Sequence, residues 1–270
     1  MNRDRDLNRL GVMLLALAER FGTSAANSAW FGAAQFYGAP PPTLPPYVHD
    51  ELSENGFSIV PGFLSARRTA AVLCDALENE DAARTAGVGT GGTRRRDSSL
   101  RRAKLLSLLS PPNFTGDLGA RLAISRCMHS LCLELNGAVS ILDARATELG
   151  YVYYPTGGFY ERHCDVPARG SGVASDGGRR EWSVLLYLDD MWKAEWGGAL
   201  RIYPEDDAPS VDVLPEGGTL VLFRSDRIEH EVMETRRERH AVVGWLRSRP
   251  HRDADGDVRC ISCADRNNRI

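Results

Sequence analysis

Three side chains in this sequence have the types and spacing of a metal site: His163, Asp165 and His230. The first two stand in Tyr160-Glu-Arg-His163-Cys-Asp165-Val-Pro167. Read as a strand ending at Pro167, this segment puts residues i and i+2 on one face, so imidazole and carboxylate aim at a common point. One borderline and one hard donor together suit Fe(II), Mn(II) or Zn(II). An HxD triplet often arises by chance, so a second histidine on another strand is needed. His230, in Asp226-Arg-Ile-Glu-His230-Glu-Val232, meets that need. Taken singly, each histidine reads better as an ordinary surface or core residue.

Two histidines and one carboxylate on one face leave coordination positions open, as in the facial triad of non-haem Fe(II) oxygenases. The open positions suffice for a bidentate 2-oxo acid and for O2. A co-substrate such as 2-oxoglutarate also needs a cation for its far carboxylate. Arg239 opens Arg239-His-Ala-Val-Val-Gly-Trp245, where Arg239, Ala241, Val243 and Trp245 share one strand face. A buried guanidinium matches a carboxylate bidentately. Arg236 and Arg237 compete from a charged turn and Arg247 from near a strand end. Arg239 best joins a charge to a buried strand. His240 faces the other way and is not made a ligand, and Cys164, between the two ligands, reads as a small core residue.

The elements that must position these residues change character along the chain. From Glu148 onward, short apolar runs alternate with Gly, Pro and Asp: 149–154, 159–164, 182–188, 199–203, 211–214, 219–223, 231–233 and 240–246. Many short strands separated by turns predict an antiparallel sandwich or barrel. Before them, Gly56–Leu64 reads as a strand entering a turn. Ser65 can cap a helix over 66–78, with Ala70, Leu73, Cys74 and Leu77 at helical spacing. A second helix is expected over 118–135. The architecture is therefore mainly β with N-terminal helices. Residues 1–48 read as an N-terminal extension closed by the proline-rich linker Gly38–Pro46. Residues 49–249 read as the folded domain, with a β-core over about 148–248, and 250–270 as a polar, poorly ordered tail.

With 43% apolar and 26% charged residues the chain has ordinary globular composition. A net charge of −3 argues against a nucleic-acid binder as a whole. The basic run Arg94–Lys104 lacks interleaved aromatics and reads as a solvated loop, with docking to nucleic acid or an acidic peptide as the other reading. Cys260 and Cys263 form a lone CxxC with no second pair to complete a zinc site, and read as two tail thiols. No apolar run is long enough to span a membrane. The short run Leu10–Ala18 follows acidic residues and fits an amphipathic helix at least as well as a targeting signal. A cytoplasmic or nuclear location is expected, with secretion or organelle import kept open.

Several segments together resemble the prolyl 4-hydroxylase branch of the 2-oxoglutarate oxygenases, most closely its hypoxia-inducible-factor prolyl hydroxylase type. They are Tyr160–Pro167, Tyr187-Leu-Asp-Asp-Met-Trp192, Gly197-Gly-Ala-Leu-Arg-Ile-Tyr-Pro204, Leu222–Arg227, His230-Glu-Val232 and Arg239–Trp245. The resemblance covers roughly residues 49–248 and is strong from Tyr151 onward. It implies a double-stranded β-helix (jelly-roll, cupin-like) core, Fe(2+) at His163, Asp165 and His230, and 2-oxoglutarate and O2 as co-substrates. It also implies the 2-oxoglutarate C5 carboxylate at Arg239, assisted by Tyr187 and Tyr154, and L-ascorbate as the reductant. As strand residues, both tyrosines read equally well as core. The implied reaction is hydroxylation of a prolyl residue in a protein or peptide, with release of succinate and CO2. Two departures bear on the substrate: the longer glycine-rich stretch Gly170–Gly178, and Arg94–Lys104 where the family has a substrate-covering loop. The alternatives are an oxygenase acting on another residue or a small molecule, and a non-catalytic metal-binding barrel. Trp182, Trp192 and Trp196 read as packing or rim residues, and Gly197-Gly198 as a bulge or tight turn.

Overall fold

The computed structural model describes residues 41–88, 96–108, 115–137, 141–144, 147–166, 178–205 and 208–248, and the backbone of 251–252 and 258–259. The expected helix at 10–18, residues 170–177 of the glycine-rich stretch and the Cys260/Cys263 pair lie outside the described residues.

Short apolar strands, the central ones buried along nearly their whole length, build the β-core. Its strands are β5 (Glu148–Tyr154), β6 (Phe159–His163), β7 (Arg180–Tyr187), β8 (Leu200–Tyr203), β9 (Val211–Val213), β10 (Leu220–Arg224), β11 (Glu229–Val232) and β12 (Arg239–Arg247). Four earlier strands are β1 (Phe57–Val60), β2 (Arg84–Thr85), β3 (Arg101–Arg102) and β4 (Lys104–Ser107). All described pairings are antiparallel, in a seven-stranded sheet ordered β1-β10-β7-β12-β5-β4-β2 and a five-stranded sheet ordered β3-β6-β11-β8-β9. The core strands interleave between the two sheets as in a double-stranded β-helix. On β5, Leu149, Tyr151 and Tyr153 join one apolar cluster while Val152 and Tyr154 join another. The same split separates Trp182, Val184 and Leu186 from Leu185 and Tyr187 on β7, and Val242 and Leu246 from Ala241 and Val243 on β12. One row faces the helices; the other faces the second sheet and forms the inner surface on which the site is built.

The helices α1 (Tyr47–Glu54), α2 (Ala66–Glu78) and α3 (Leu118–Leu135) cover the outer face of the larger sheet. No sequence pattern had marked α1, which buries only Val48 and Leu52. Leu44, within the proline-rich stretch, is already part of the core, and its N–H donates to Glu134.

Three expectations need correction. The side chain of Ser65 makes no capping bond; its carbonyl instead accepts from the N–H and hydroxyl of Thr69. The buried face of α2 is Thr69, Val72, Asp75 and Ala76, while Leu77 is 46% exposed. The cause is a polar cluster: Arg121 of α3 donates to Asp75 Oδ1 at 2.7 Å, and the Tyr151 hydroxyl donates to Oδ2 at 2.7 Å. These contacts rotate α2 so that a carboxylate, rather than its apolar stripe, meets α3 and β5. The basic run is not one solvated loop either, since Arg101–Arg102 pairs with Phe159–Tyr160 and Lys104–Ser107 with Gly150–Tyr153. The tail carries a short ribbon, His251–Arg252 against Val258–Arg259.

Burial pushes the Asp75 carboxyl up to about 6 against the opposing pull of Arg121 and Tyr151. A folded-state value above the unfolded one means stability fully present below the ordinary carboxylate range and lost as pH rises through about 6. Removing the guanidinium in Arg121→Ala raises that value further. The variant is expected to lose about 3–5 kcal/mol at pH 8, where the buried carboxylate is uncompensated. The deficit should shrink at pH 5, where Asp75 takes up a proton. Urea melts at the two pH values check this; a pH-independent deficit would contradict it.

Candidate metal and co-substrate site

His163 closes β6, and His230 of β11 stands opposite it in register. Tyr160 stacks on the His163 ring at 3.6 Å and Phe223 of β10 packs on His230 at 4.4 Å. The two imidazoles are thereby held with centroids 4.3 Å apart. Each turns Nδ1 to the backbone carbonyl two residues earlier: Glu161 O at 2.7 Å for His163 and Ile228 O at 3.2 Å for His230. A carbonyl only accepts, so Nδ1 carries the proton and Nε2 keeps its lone pair for a ligand.

Asp165 is not on β6, which ends at His163; it lies in the bend that follows. Strand alternation therefore does not place this carboxylate. The N–H of Val166 donates to Ser225 O at 2.9 Å, fixing the bend. The Ser183 hydroxyl and the Trp245 indole N–H both donate to Asp165 Oδ2, at 2.5 and 2.9 Å. With Oδ2 occupied, Oδ1 is turned to His163 Nε2 at 3.6 Å. That separation is too long for a hydrogen bond and fits two ligands sharing one ion at about 2.1 Å each. His163 Nε2 is buried with no hydrogen-bond partner. Ligand atoms of His163, Asp165 and His230 all lie within 4.8 Å of one another, the geometry of a group able to hold a metal ion.

The charge states suit that role. Burial alone would raise the Asp165 carboxyl, but His163, His230 and Arg180 outweigh it and hold the group well below the usual carboxylate range. Burial, with His163 alongside, lowers His230 to about 4, so it is neutral at pH 7. A carboxylate and a neutral imidazole are the forms that bind metal.

Arg239 begins β12 and is fully buried at 0% exposure. Tyr154 pairs with it in register, and its guanidinium carbon lies 4.9 Å from the Tyr154 ring and 5.1 Å from the Tyr187 ring. All three guanidinium nitrogens and the Tyr187 hydroxyl are buried without a hydrogen-bond partner. Burial pushes the Tyr187 hydroxyl up to about 12 despite the opposing charge of Arg239, so it stays a neutral donor. A buried cation with every donor unspent is costly, and a carboxylate is the group that would satisfy it. Gly198, at φ 70°, backs this pocket: a Cβ there would stand 3.3 Å from Arg239 Cδ and 3.0 Å from Thr235.

Residues 149–247 match the family model of the 2OG-Fe(II) oxygenase superfamily. A hypoxia-inducible factor prolyl hydroxylase of Caenorhabditis elegans is 32% identical over 130 residues, 46% of this chain and 17% of that protein. Among solved structures, a Pseudomonas putida prolyl-4-hydroxylase superposes with a TM-score of 0.61 at 29% identity, covering 75% of this chain and 97% of that one. A Trichoplax adhaerens prolyl hydroxylase, solved with a hypoxia-inducible factor peptide fragment, gives a TM-score of 0.62 at 27% identity, covering 74% and 86%. Over residues 149–247 the chain is similar to the 2OG-Fe(II) oxygenase superfamily. Within it, the likeness is to the prolyl hydroxylase branch. The chain spans less than a fifth of the length of the nematode relative.

The arginines that compete with Arg239 are engaged elsewhere. Arg236 donates to Glu195 O, Arg237 lies over the Trp196 ring at 4.4 Å, and Arg247 donates to Gly178 O. His240 is on the opposite face of β12, bonded to Asp189 at 2.8 Å. Cys164 is half-buried. Trp192 packs edge-on to Trp196 and donates to Gly197 O. Arg101 is buried over the Tyr160 ring and donates to Gly87 O, so it is not part of a free cationic surface. Sequence reading missed Ser183 and the indole role of Trp245. Their parity on the inner face of β7 and β12, shared with Tyr187 and Arg239, was the available signal. Arg180 also went unmarked: it lies 3.8 Å over the Trp245 ring and is held bidentately by Glu148. Among the described residues no helix is long and apolar enough to cross a membrane.

Proposed function

We propose that this chain is an Fe(II)- and 2-oxoglutarate-dependent prolyl hydroxylase that converts a prolyl residue of a protein or peptide to hydroxyproline, releasing succinate and CO2. The observation that carries the reading is the buried, donor-rich Arg239–Tyr187 pocket on the same inner surface that supplies both holders of Asp165. A simple metal-storage site has no use for it. The proposed catalytic unit is residues 49–249, with Leu44 packed into its core.

His163 Nε2, His230 Nε2 and Asp165 Oδ1 would hold Fe(II), and the orphaned His163 Nε2 fits that assignment. The bound iron supplies O2 activation coupled to oxidative decarboxylation of the 2-oxo acid. Arg239 grips the far carboxylate with its planar fork and Tyr187 adds a neutral O–H donor, so the co-substrate is fixed in one orientation. Tyr154 closes one side of the guanidinium by its ring face. Apolar neighbours on the inner surface, among them Leu185, Ile202, Ala241 and Val243, keep water away from the reacting groups. No side-chain base is required, because the two atoms of O2 end in succinate and in the hydroxylated product. Ascorbate is the reductant expected to keep the iron ferrous.

Trp245→Phe keeps the ring that Arg180 covers and deletes one of the two donors on Asp165 Oδ2. It is expected to weaken Fe(II) or Mn(II) affinity about tenfold or more, as loss of a ligand's supporting hydrogen bond does. Isothermal titration checks it; unchanged affinity would remove Trp245 from the account. For the reaction itself, proline-containing peptides incubated with enzyme, Fe(II), 2-oxoglutarate and ascorbate should gain one oxygen on proline by fragment-ion mass spectrometry. Oxygen gained only on another residue or a small molecule would keep the oxygenase and overturn the prolyl substrate.

A further inference from the structure

We infer that Ser225 is a positioning residue for Asp165, acting through the Ser183 hydroxyl. This rests on the reading that Asp165 is a metal ligand. Ser183 Oγ lies 2.5 Å from Asp165 Oδ2 and 2.8 Å from Ser225 Oγ. An ionised carboxylate only accepts, so the single Ser183 proton goes to Asp165. The direction of the second bond then follows: Ser225 donates and Ser183 accepts. Accepting a bond polarises the Ser183 hydroxyl and strengthens its own donation. It also fixes the rotor, which would otherwise be free to turn away from Oδ2.

Ser225 grips the ligand bend by a second route, since its carbonyl accepts the Val166 N–H at 2.9 Å. Its own N–H donates to Glu181 O at 3.0 Å, tying the turn to β7. The residue is fully buried, between Arg224 and Asp226. Arg224 bridges Glu181 at 3.3 Å and Asp226 at 3.0 Å, and Arg179 reaches Asp226 at 3.2 Å. These ion pairs, nearly all out of solvent, clamp the turn that carries Ser225. The relay therefore runs from a charge-locked turn after β10, through two hydroxyls, to the one carboxylate of the site that no strand pairing holds.

Ser225→Ala removes the side-chain route and leaves both backbone bonds. The test uses the full chain and Mn(II) as a paramagnetic probe, titrated by EPR, on wild type, Ser183→Ala, Ser225→Ala and the double variant. Ser225→Ala should weaken Mn(II) binding several-fold, less than the roughly tenfold or more expected for a residue bonded directly to a ligand. Because Ser225 acts through Ser183, the double variant should bind no more weakly than Ser183→Ala alone. A merely structural role would instead give penalties that multiply and a matching fall in the melting temperature of the metal-free protein. Multiplying penalties, or Ser225→Ala affinity equal to wild type, would overturn the relay while leaving the metal site standing. Wild type that does not bind Mn(II) would overturn the metal reading itself.

Discussion

Asp165→Ala is expected to abolish iron-dependent turnover and high-affinity metal binding. The substitution deletes Oδ1, the ligand atom turned to His163, and leaves the Ser183 hydroxyl and Trp245 N–H without the acceptor they share. Two neutral imidazoles alone hold a divalent ion far less well, because no formal negative charge is left in the ligand set. Metal activation contributes several kcal/mol to catalysis of this kind, so the rate should fall roughly a thousandfold or more. Succinate formation and Mn(II) titration on the purified variant measure the two losses separately. Turnover at the wild-type rate would remove Asp165 from the metal site.

Arg239→Met should produce the opposite pattern. Here iron binding is expected to be kept, while the KM for 2-oxoglutarate rises about a hundredfold. Two charge-assisted hydrogen bonds at about 1.5–3 kcal/mol each give at least that factor. Arg239→Lys should fall between, since it keeps the charge and loses the fork. A second readout separates this role from a packing role. In the absence of 2-oxoglutarate the wild-type guanidinium is buried with every donor unspent. An apolar side chain of similar volume should therefore leave the melting temperature of the ligand-free protein unchanged or higher. It should also cancel the added stability that 2-oxoglutarate gives wild type. A KM left at the wild-type value, or a ligand-free protein that melts much lower, would show that Arg239 serves the fold instead.

How far the sequence reached differs from element to element, for physical reasons. The strands of the β-core were legible as short apolar runs between turn residues, because both faces of β5, β7 and β12 meet apolar clusters. Helices α2 and α3 were legible in extent, yet the buried face of α2 was misread. Periodicity finds apolar stripes, and that face turns on Asp75, whose burial depends on Arg121 far along the chain. Strand β3 was hidden within a run of arginines because it lies at a sheet edge, where a strand can carry charge on its solvent side; β4, paired on both sides, starts at the last basic residue of that run, Lys104. At the site, His163, His230 and Arg239 followed from residue type and strand parity. The Asp165 carboxylate is brought to the two histidines not by strand alternation but by donors from β7 and β12 and the turn at Ser225. Such support comes from residues 18 and 80 positions away from Asp165, and local spacing carries no trace of it.

The central claim is that the metal triad and the Arg239 pocket form one 2-oxoglutarate-consuming centre. Succinate formation from 2-oxoglutarate by the purified chain, with Fe(II) and with or without proline-containing peptides, tests it most directly. The account predicts succinate that requires Fe(II), rises with peptide and vanishes in Asp165→Ala. No succinate under any of these conditions, with 2-oxoglutarate failing to bind the iron-loaded protein, would contradict it and leave a metal-binding barrel without this chemistry.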